Sequence, residues 1–477
     1  VGDAVEVEEA VDDTAAALLN FDGISYAKGA SALRQLVAWL GEKDFLAGIN
    51  THFTRHRFGN ATLADFIDNL AGATERDVHA WADAWLRTTG VDTLTPKITR
   101  GTDGTYTLTV DHIGSRPHHI TVGLYDQDLA DDQGHLTRRG SLALDIPQST
   151  EQPIGKRPAL LLLNDGDLTY AKIRFDPDSF ATVTGSLSGL PDPLTRAVVW
   201  NALRDAVRDG ELPPTAYLDA ARTHLPRETD LAIVQGVLSF VATQVADRFL
   251  TPEQRPAGLS TLTALCRDLI RRTEDGDNPG LRLTAVRHYI DVAAHPETIA
   301  AWLAEGTVPG GPELDPELRW RVLGRLAVLG AVDAAAIAEE LERDPSATGQ
   351  EGAARCRAAL PDPESKRKTW EEMFTSDHLS NYLFTATAQG FWQPEQSDIL
   401  GEYVERYWAD AVSLAARRGP AIAEAAGRWA FPVYAVDGET LSLGERCLTE
   451  ADPIPALRRK LVDQLDDLGR ALKVRAV

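Results

Sequence analysis

The stretch NFDGISYAKGASALRQLVAWLGEKDF, residues 20–45, raises the question on which the reading of this chain turns. It sets a tyrosine, Tyr26, at the mouth of a helix, directly after the turn signal Asp22-Gly23. Ala30, Leu33, Val37 and Leu40 step by three and four, the spacing of one helical face, and Gly41 stands where that helix should stop. A second helix is predicted from Glu42 to about Arg57, with Phe45, Ile49 and Phe53 on one side, broken at Gly59 and Asn60. Thr62 followed by Asp65 reads as an N-cap with its partner, opening LADFIDNLAG. A further helix carries Val78, Trp81 and Trp85 and ends before Gly90. Short connections imply antiparallel helix packing.

Beyond residue 92 the pattern changes. KITRG, YTLTVDHIG, HHITVGLYD, SLALDIP, PALLLLND and TYAKIRFD are short alternating or apolar runs punctuated by Gly, Pro, Asp and Asn, which predicts a small β-sandwich. From DPLTRAVVWNALRDAVRDG onward the helical period returns and persists to PALRRKLVDQLDDLGRALKV. Breakers such as ELPPT, EDGDNPG and VPGGPELDP separate many short helices, which predicts paired, HEAT-like helices stacked as an irregular solenoid. The expected architecture is therefore multidomain and mainly α, with regions 1–91 (helical), 92–186 (β-sandwich) and 187–477 (α-helical).

At 477 residues the chain is too long for one hydrophobic core. No apolar run approaches the about 18 residues of a membrane span. A net charge of −23 argues against nucleic acid as a partner, because that binding needs a basic surface. Cys266, Cys356 and Cys447 are far apart and odd in number, which fits a reducing cytoplasm better than a disulfide framework. The first residues, VGDAVEVEEAVDDTAAALLN, are acidic and lack a starting Met; they read as a cut end within a longer protein.

Several features tempt a chemical reading. In THFTRH, His52 and His56 lie four apart, the spacing of zinc-binding helices. The zinc-hydrolase motif needs Glu directly after the first His; here Phe53 stands there, expected on the buried side, so a hydrogen-bonded pair is the ordinary reading. His118 and His119 alternate across a strand and point to opposite faces, and the other histidines are scattered. The aromatics Trp370, Tyr382, Phe391, Trp392, Tyr403, Tyr407 and Trp408 suit core packing, while arginines of the same region could hold a peptide carboxylate. A tyrosine such as Tyr26, taken alone, is ordinarily a packed residue.

Tyr26, Lys28, Gly29, Ala30, Gly41, Phe45, Gly48, His56, Asn60, Ala61, Thr62, Asp65 and Phe66, continued by Trp81, Trp85 and Gly90, give the chain another context. Over residues 20 to about 95 it resembles the aminopeptidase N family of zinc metallopeptidases (gluzincins) just after the zinc site. The order of regions is similar too: the helical part of a thermolysin-like catalytic domain, a β-sandwich and a large helical domain. Low Lys against abundant Arg suggests a bacterial member. The resemblance implies that Tyr26 is the catalytic tyrosine whose hydroxyl faces the scissile carbonyl, that Phe21 lines the substrate pocket, and that Lys28, Gly29 and Asn60 are structural, Asn60 by capping. It implies zinc in the full-length enzyme and peptides as substrates.

The departures are as informative. His-Glu-x-x-His is absent, as is the Gly-x-Met-Glu-Asn loop that grips a free amino terminus; the single methionine is Met373. The resemblance thus implies the C-terminal portion of a zinc aminopeptidase, whose partner is the missing N-terminal half; none of its residues ligates metal, and alone it should be inactive. The alternative is a noncatalytic helical-repeat module that binds peptides or a protein partner.

Overall fold

One π-helical turn, Ile24–Lys28, leads directly into helix α1, Gly29–Leu40, so Tyr26 sits on an over-wide turn rather than on regular α-helix. The computed structural model describes residues 24–127, 134–147, 151–274, 276 and 278–477. Helices α2 (Glu42–Arg55), α3 (Leu63–Ala71) and α4 (Val78–Leu86) follow. Gly41 has φ +84°, a value that side chains resist, and α1 stops there as its sequence predicts. Thr62 Oγ1 accepts from the Asp65 amide and the Asp65 carboxylate accepts from the Thr62 amide at 2.8 Å, closing a capping box. Asn60, expected to cap, is exposed; Thr62 does that work. Gly48 is needed for packing: a Cβ there would meet Leu70 Cα at 2.9 Å, so α2 and α3 touch backbone to backbone.

The faces differ from the pattern read off the sequence. Helix α1 buries Ala32, Gln35, Leu36 and Leu40, whereas Leu33 is exposed. The reason is Gln35. Its Nε2 donates to the carbonyls of His119 and Leu168, each at 2.9 Å, and its Oε1 accepts from the His119 amide. A fully satisfied amide can be buried without penalty, but a hydropathy pattern counts it as surface. Phe53 is also exposed rather than buried. Phe45 and Ile49 pack on the core, but eight residues from Phe45 the helix has turned about 80° past two full turns.

The sandwich has strands β1 (Thr93–Arg100), β2 (Tyr106–Ile113), β3 (His118–Gln127), β4 (Leu136–Ile146), β5 (Gln152–Gly155), β6 (Leu160–Leu162) and β7 (Lys172–Ile173). They form two sheets, in the orders β5-β2-β1-β7 and β4-β3-β6. All neighbours are antiparallel except β1 and β7. Leu94 and Leu108 from one sheet and Ile120, Val122, Leu144 and Leu161 from the other share one core. Helices Pro177–Ser186 and Pro193–Arg208 complete this part. The chain divides into two compact units, with the boundary after Ala206.

The second unit is a helical stack. Helices Pro279–Val292, Pro316–Val328, Ala347–Ala359, Asn381–Phe391, Pro420–Trp429 and Pro455–Arg475 pack each on the next, with a second layer interleaved in sequence. This is the solenoid that the spacing of breakers predicts. Several of those breakers are starts rather than stops: Asn278-Pro279, Asp315-Pro316 and Asp362-Pro363 each place a capping side chain before a proline at the first helical position. At the far ends, buried donors reach the open carbonyls. Lys366, fully buried, donates to Ala358 and Phe391 oxygens at 2.7 and 2.8 Å, and Gln396 donates to Val328 and Ala359. Each thus closes two helix ends at once. Burial pushes the Lys366 ammonium down to about 7. Close approach within the stack uses Gly390, where a Cβ would meet the Arg355 oxygen at 2.1 Å. No helix of the described residues is long and apolar enough to cross a membrane.

Candidate active site

Tyr26 is 64% exposed, on the turn that precedes α1. Two residues on, Lys28 turns the other way: it is buried, and its Nζ donates to the Thr88 carbonyl at 3.3 Å, tying the turn to the end of α4. The phenol is thus presented by an anchored turn. The first helices also leave large apolar side chains in water. Leu33 lies two turns along from Tyr26, and Leu46 and Phe53 recur two turns apart on α2. Phe58 is almost wholly exposed with φ +58°. Phe21 and the Asp22-Gly23 turn lie outside the described residues.

His52 and His56 lie tilted to each other at 5.0 Å between ring centroids, but His52 is engaged elsewhere. Its Nδ1 meets Asn69 Nδ2 at 3.3 Å and its ring stands edge-on to Phe66. Asn69 in turn accepts from Arg55 at 2.8 Å, so this is a packing network between α2 and α3.

Sequence reasoning missed a second histidine cluster. Asp92, just before β1, receives His112 Nε2 at 2.7 Å and His118 Nε2 at 3.2 Å on one oxygen. The Arg116 amide reaches that same oxygen at 2.9 Å, while Arg116 Nη1 takes the other at 2.7 Å. His118 Nδ1 pairs with Thr169 Oγ1, and Arg116 lies over the Trp85 ring. His119 points away to Asp145, as strand alternation requires. Burial alone pushes the Asp92 carboxyl up, but the hydrogen bonds from His118, His112 and Arg116 together hold it well below the usual carboxylate range. Burial lowers His118, so its imidazole stays neutral at pH 7 despite the carboxylate beside it. The signal that could have found this cluster was the short β2–β3 connection, which folds His112 back beside His118.

Asp92, His112 and His118 are the group among the described residues whose atoms could converge on a metal ion. They do not fit a catalytic zinc. A catalytic site keeps an open position for water or substrate, and here Asp92 and His118 are buried, with both Asp92 oxygens already taken and a guanidinium against them. They form a structural network.

In the second unit the aromatics pack as the sequence predicts. Trp370 touches Phe374, Phe391 and Tyr403 with centroids 4.3–5.3 Å away; Tyr382, by contrast, is exposed. The arginines of one cavity do not stand ready for a carboxylate. A cavity of about 510 Å³ is lined by Arg255, Arg287, Arg321 and Arg325. Arg255 joins Asp247 to Glu395, Arg325 pairs with Glu395, Arg321 with Asp291, and Arg287 with Glu317, all within 3.0 Å. Asp247 sits on a second π-helical segment, Val241–Phe249.

Comparison with known proteins shows what the chain is similar to. The family described as ERAP1-like C-terminal domain matches residues 160–470, and the peptidase family M1 domain matches residues 2–85. Aminopeptidase N of Streptomyces lividans is 36% identical over 486 residues, covering 98% of this chain and 56% of that protein. Tricorn protease-interacting factor F2 of Thermoplasma volcanium is 25% identical over 244 residues, covering 48% of this chain and 27% of its own. Among solved structures, aminopeptidase A of Legionella pneumophila, in complex with aspartic acid, matches with a TM-score of 0.64 at 14% identity, over 97% of this chain and 59% of that one. At that identity the likeness concerns the fold alone. The chain spans little more than half the length of the Streptomyces relative.

Proposed function

The chain belongs to the M1 family of aminopeptidase N relatives, and from that premise we propose that it is the C-terminal portion of a zinc-dependent aminopeptidase that hydrolyses N-terminal residues from peptides. The observation that carries the proposal is the placement of Tyr26: a phenol on an anchored turn, largely exposed, at the start of helices that also expose Leu33, Leu46 and Phe53. In this reading the preceding half of the enzyme is the partner and Phe21 contributes to the substrate pocket. Zinc is held by residues outside this chain, and activating the attacking water is its part.

What this chain supplies is charge stabilisation. As the scissile carbonyl becomes tetrahedral its oxygen turns negative, and a fixed phenol O–H donates to it more strongly than to the neutral carbonyl. Tyrosine suits the role because its hydroxyl is neutral at pH 7 and donates well. The finer organisation is part of the proposal: residues 1–91 complete a catalytic domain, 92–186 form the sandwich, and 187–477 the helical domain. A cytoplasmic setting is supported by three buried free cysteines.

The test is to join the chain to the preceding half from its gene and follow release of a chromophore from an aminoacyl substrate. The joined protein hydrolyses it; the 477-residue chain alone does not. Tyr26→Phe lowers kcat by about a hundred- to a thousand-fold. Unchanged turnover in that variant removes the tyrosine assignment, and an inactive joined protein favours a binding module instead.

A further inference from the structure

Beside the arginine-lined cavity of the second unit lies another of about 520 Å³, of different character. The two share Asp247, Arg255 and Tyr434 as a common wall. The second has an apolar floor: Trp392, Leu400, Val404 and Leu443 line it, and Trp392 is held by its indole N–H donating to the Ala430 carbonyl at 2.8 Å. Its size and lining are those of a small-molecule site.

The charges at its edge can be sorted by what each already does. Arg255 is committed to Asp247 and Glu395. Arg475 donates to the carbonyls of Arg248 and Val436, and Asp437 caps the helix Gly438–Glu450 through the Thr440 amide. Two groups remain. Glu405 and Glu439 line the same cavity from different helices, both are exposed, and no ion pair among the described residues uses either. An apolar floor under two uncommitted carboxylates selects for an apolar body that carries a positive charge, since a carboxylate ligand would meet repulsion there.

We propose that this cavity binds a compact amphiphilic cation, an aryl or alkyl group bearing a primary amine or guanidinium, with its apolar part on Trp392 and Leu443 and its charge between Glu405 and Glu439. Such chemistry is offered by a free amine or by the side chain of a basic residue in a peptide. The site lies within the second unit and uses neither Tyr26 nor zinc, so it stands or falls apart from the peptidase reading.

Calorimetric titration of the full chain tests it with 4-phenylbutylamine and its carboxylate counterpart 4-phenylbutanoate, nearly equal in size. The amine binds and the carboxylate does not. Glu405→Gln with Glu439→Gln weakens the amine by about tenfold or more, the loss expected of charge-assisted contacts. Leu443→Trp, which fills the cavity while leaving both carboxylates, abolishes binding; its unchanged circular dichroism shows that the fold survives. A doubly blocked Phe-Arg dipeptide, compared with its citrulline analogue, separates the sources: binding of the arginine form alone points to peptides, and binding of the amine without either dipeptide points to a free amine. Equal binding of amine and carboxylate, full affinity in the double glutamine variant, or no binding of the amine overturns the proposal.

Discussion

Asp92 in the first unit and Glu395 in the second are both carboxylates held by arginine, yet they are satisfied in opposite ways. Asp92 is a hub: two imidazoles, one amide and one guanidinium converge on it. Glu395 is one link in a row, Asp247–Arg255–Glu395–Arg325, where charges alternate and each neighbour has a further acceptor. Burial raises both carboxyls. Hydrogen bonds from His118 and His112 overcome it in the first case, the charges of Arg325 and Arg255 in the second, and both end below their ordinary values. The difference teaches where redundancy lies. In a hub every donor depends on one carboxylate; in a row the loss of one link leaves the others partly paired.

The largest expected effect breaks the hub. Asp92→Asn leaves Arg116 buried without its counter-charge and should destabilise the first unit by about 3–5 kcal/mol, read as a drop in the first transition on thermal unfolding. The pH dependence has a definite sign. Asp92 is depressed in the folded state, so its contribution is fully present above the unfolded carboxylate pKa of about 4 and is lost as pH falls below it. Wild type should therefore lose its margin over Asp92→Asn on acidification; a constant gap between the two would mean that Asp92 carries no charge.

A smaller loss is expected from the row. Glu395→Gln keeps an acceptor oxygen for one arginine, and Arg255 retains Asp247, so about 1–3 kcal/mol is expected. A cost equal to that of Asp92→Asn would erase the distinction drawn here. The finest measurement is a pair of double-mutant cycles. Asp92→Asn with Arg116→Met should couple strongly, because the two are direct partners. Asp247→Asn with Arg325→Met, at opposite ends of the row, should couple by under about 0.5 kcal/mol. Similar coupling in both would show the row behaving as a hub.

These clusters also mark where sequence stops informing. Helix starts and stops were legible because their causes are local: Gly41 ends α1 through its own φ, and Thr62 and Asp65 bond to each other three residues apart. The two-sheet sandwich and the helical stack were legible through periods of alternating or helical spacing and the turns between them. The buried face of α1 was misread because Gln35 is satisfied by residues more than eighty positions away. Asp92 precedes β1 in one sheet and His118 opens β3 in the other, so the packing of the two sheets brings them together, as helix stacking does the arginine row, and neither leaves a local pattern. The π-helical turn under Tyr26 was invisible for a related reason: its composition is that of ordinary helix.

Gln35 has one more implication. Its three hydrogen bonds act as a torsion lock, fixing the roll of α1 about its own axis against the sandwich. Tyr26 rides on the turn at the head of that axis. A slip of about 20° would sweep a side chain at the helix surface by roughly 2 Å, and misalignment of about 1 Å can cost a reacting geometry a hundred-fold. In the proposed peptidase role, the aim of the phenol is thereby set by an amide nine residues further along the chain.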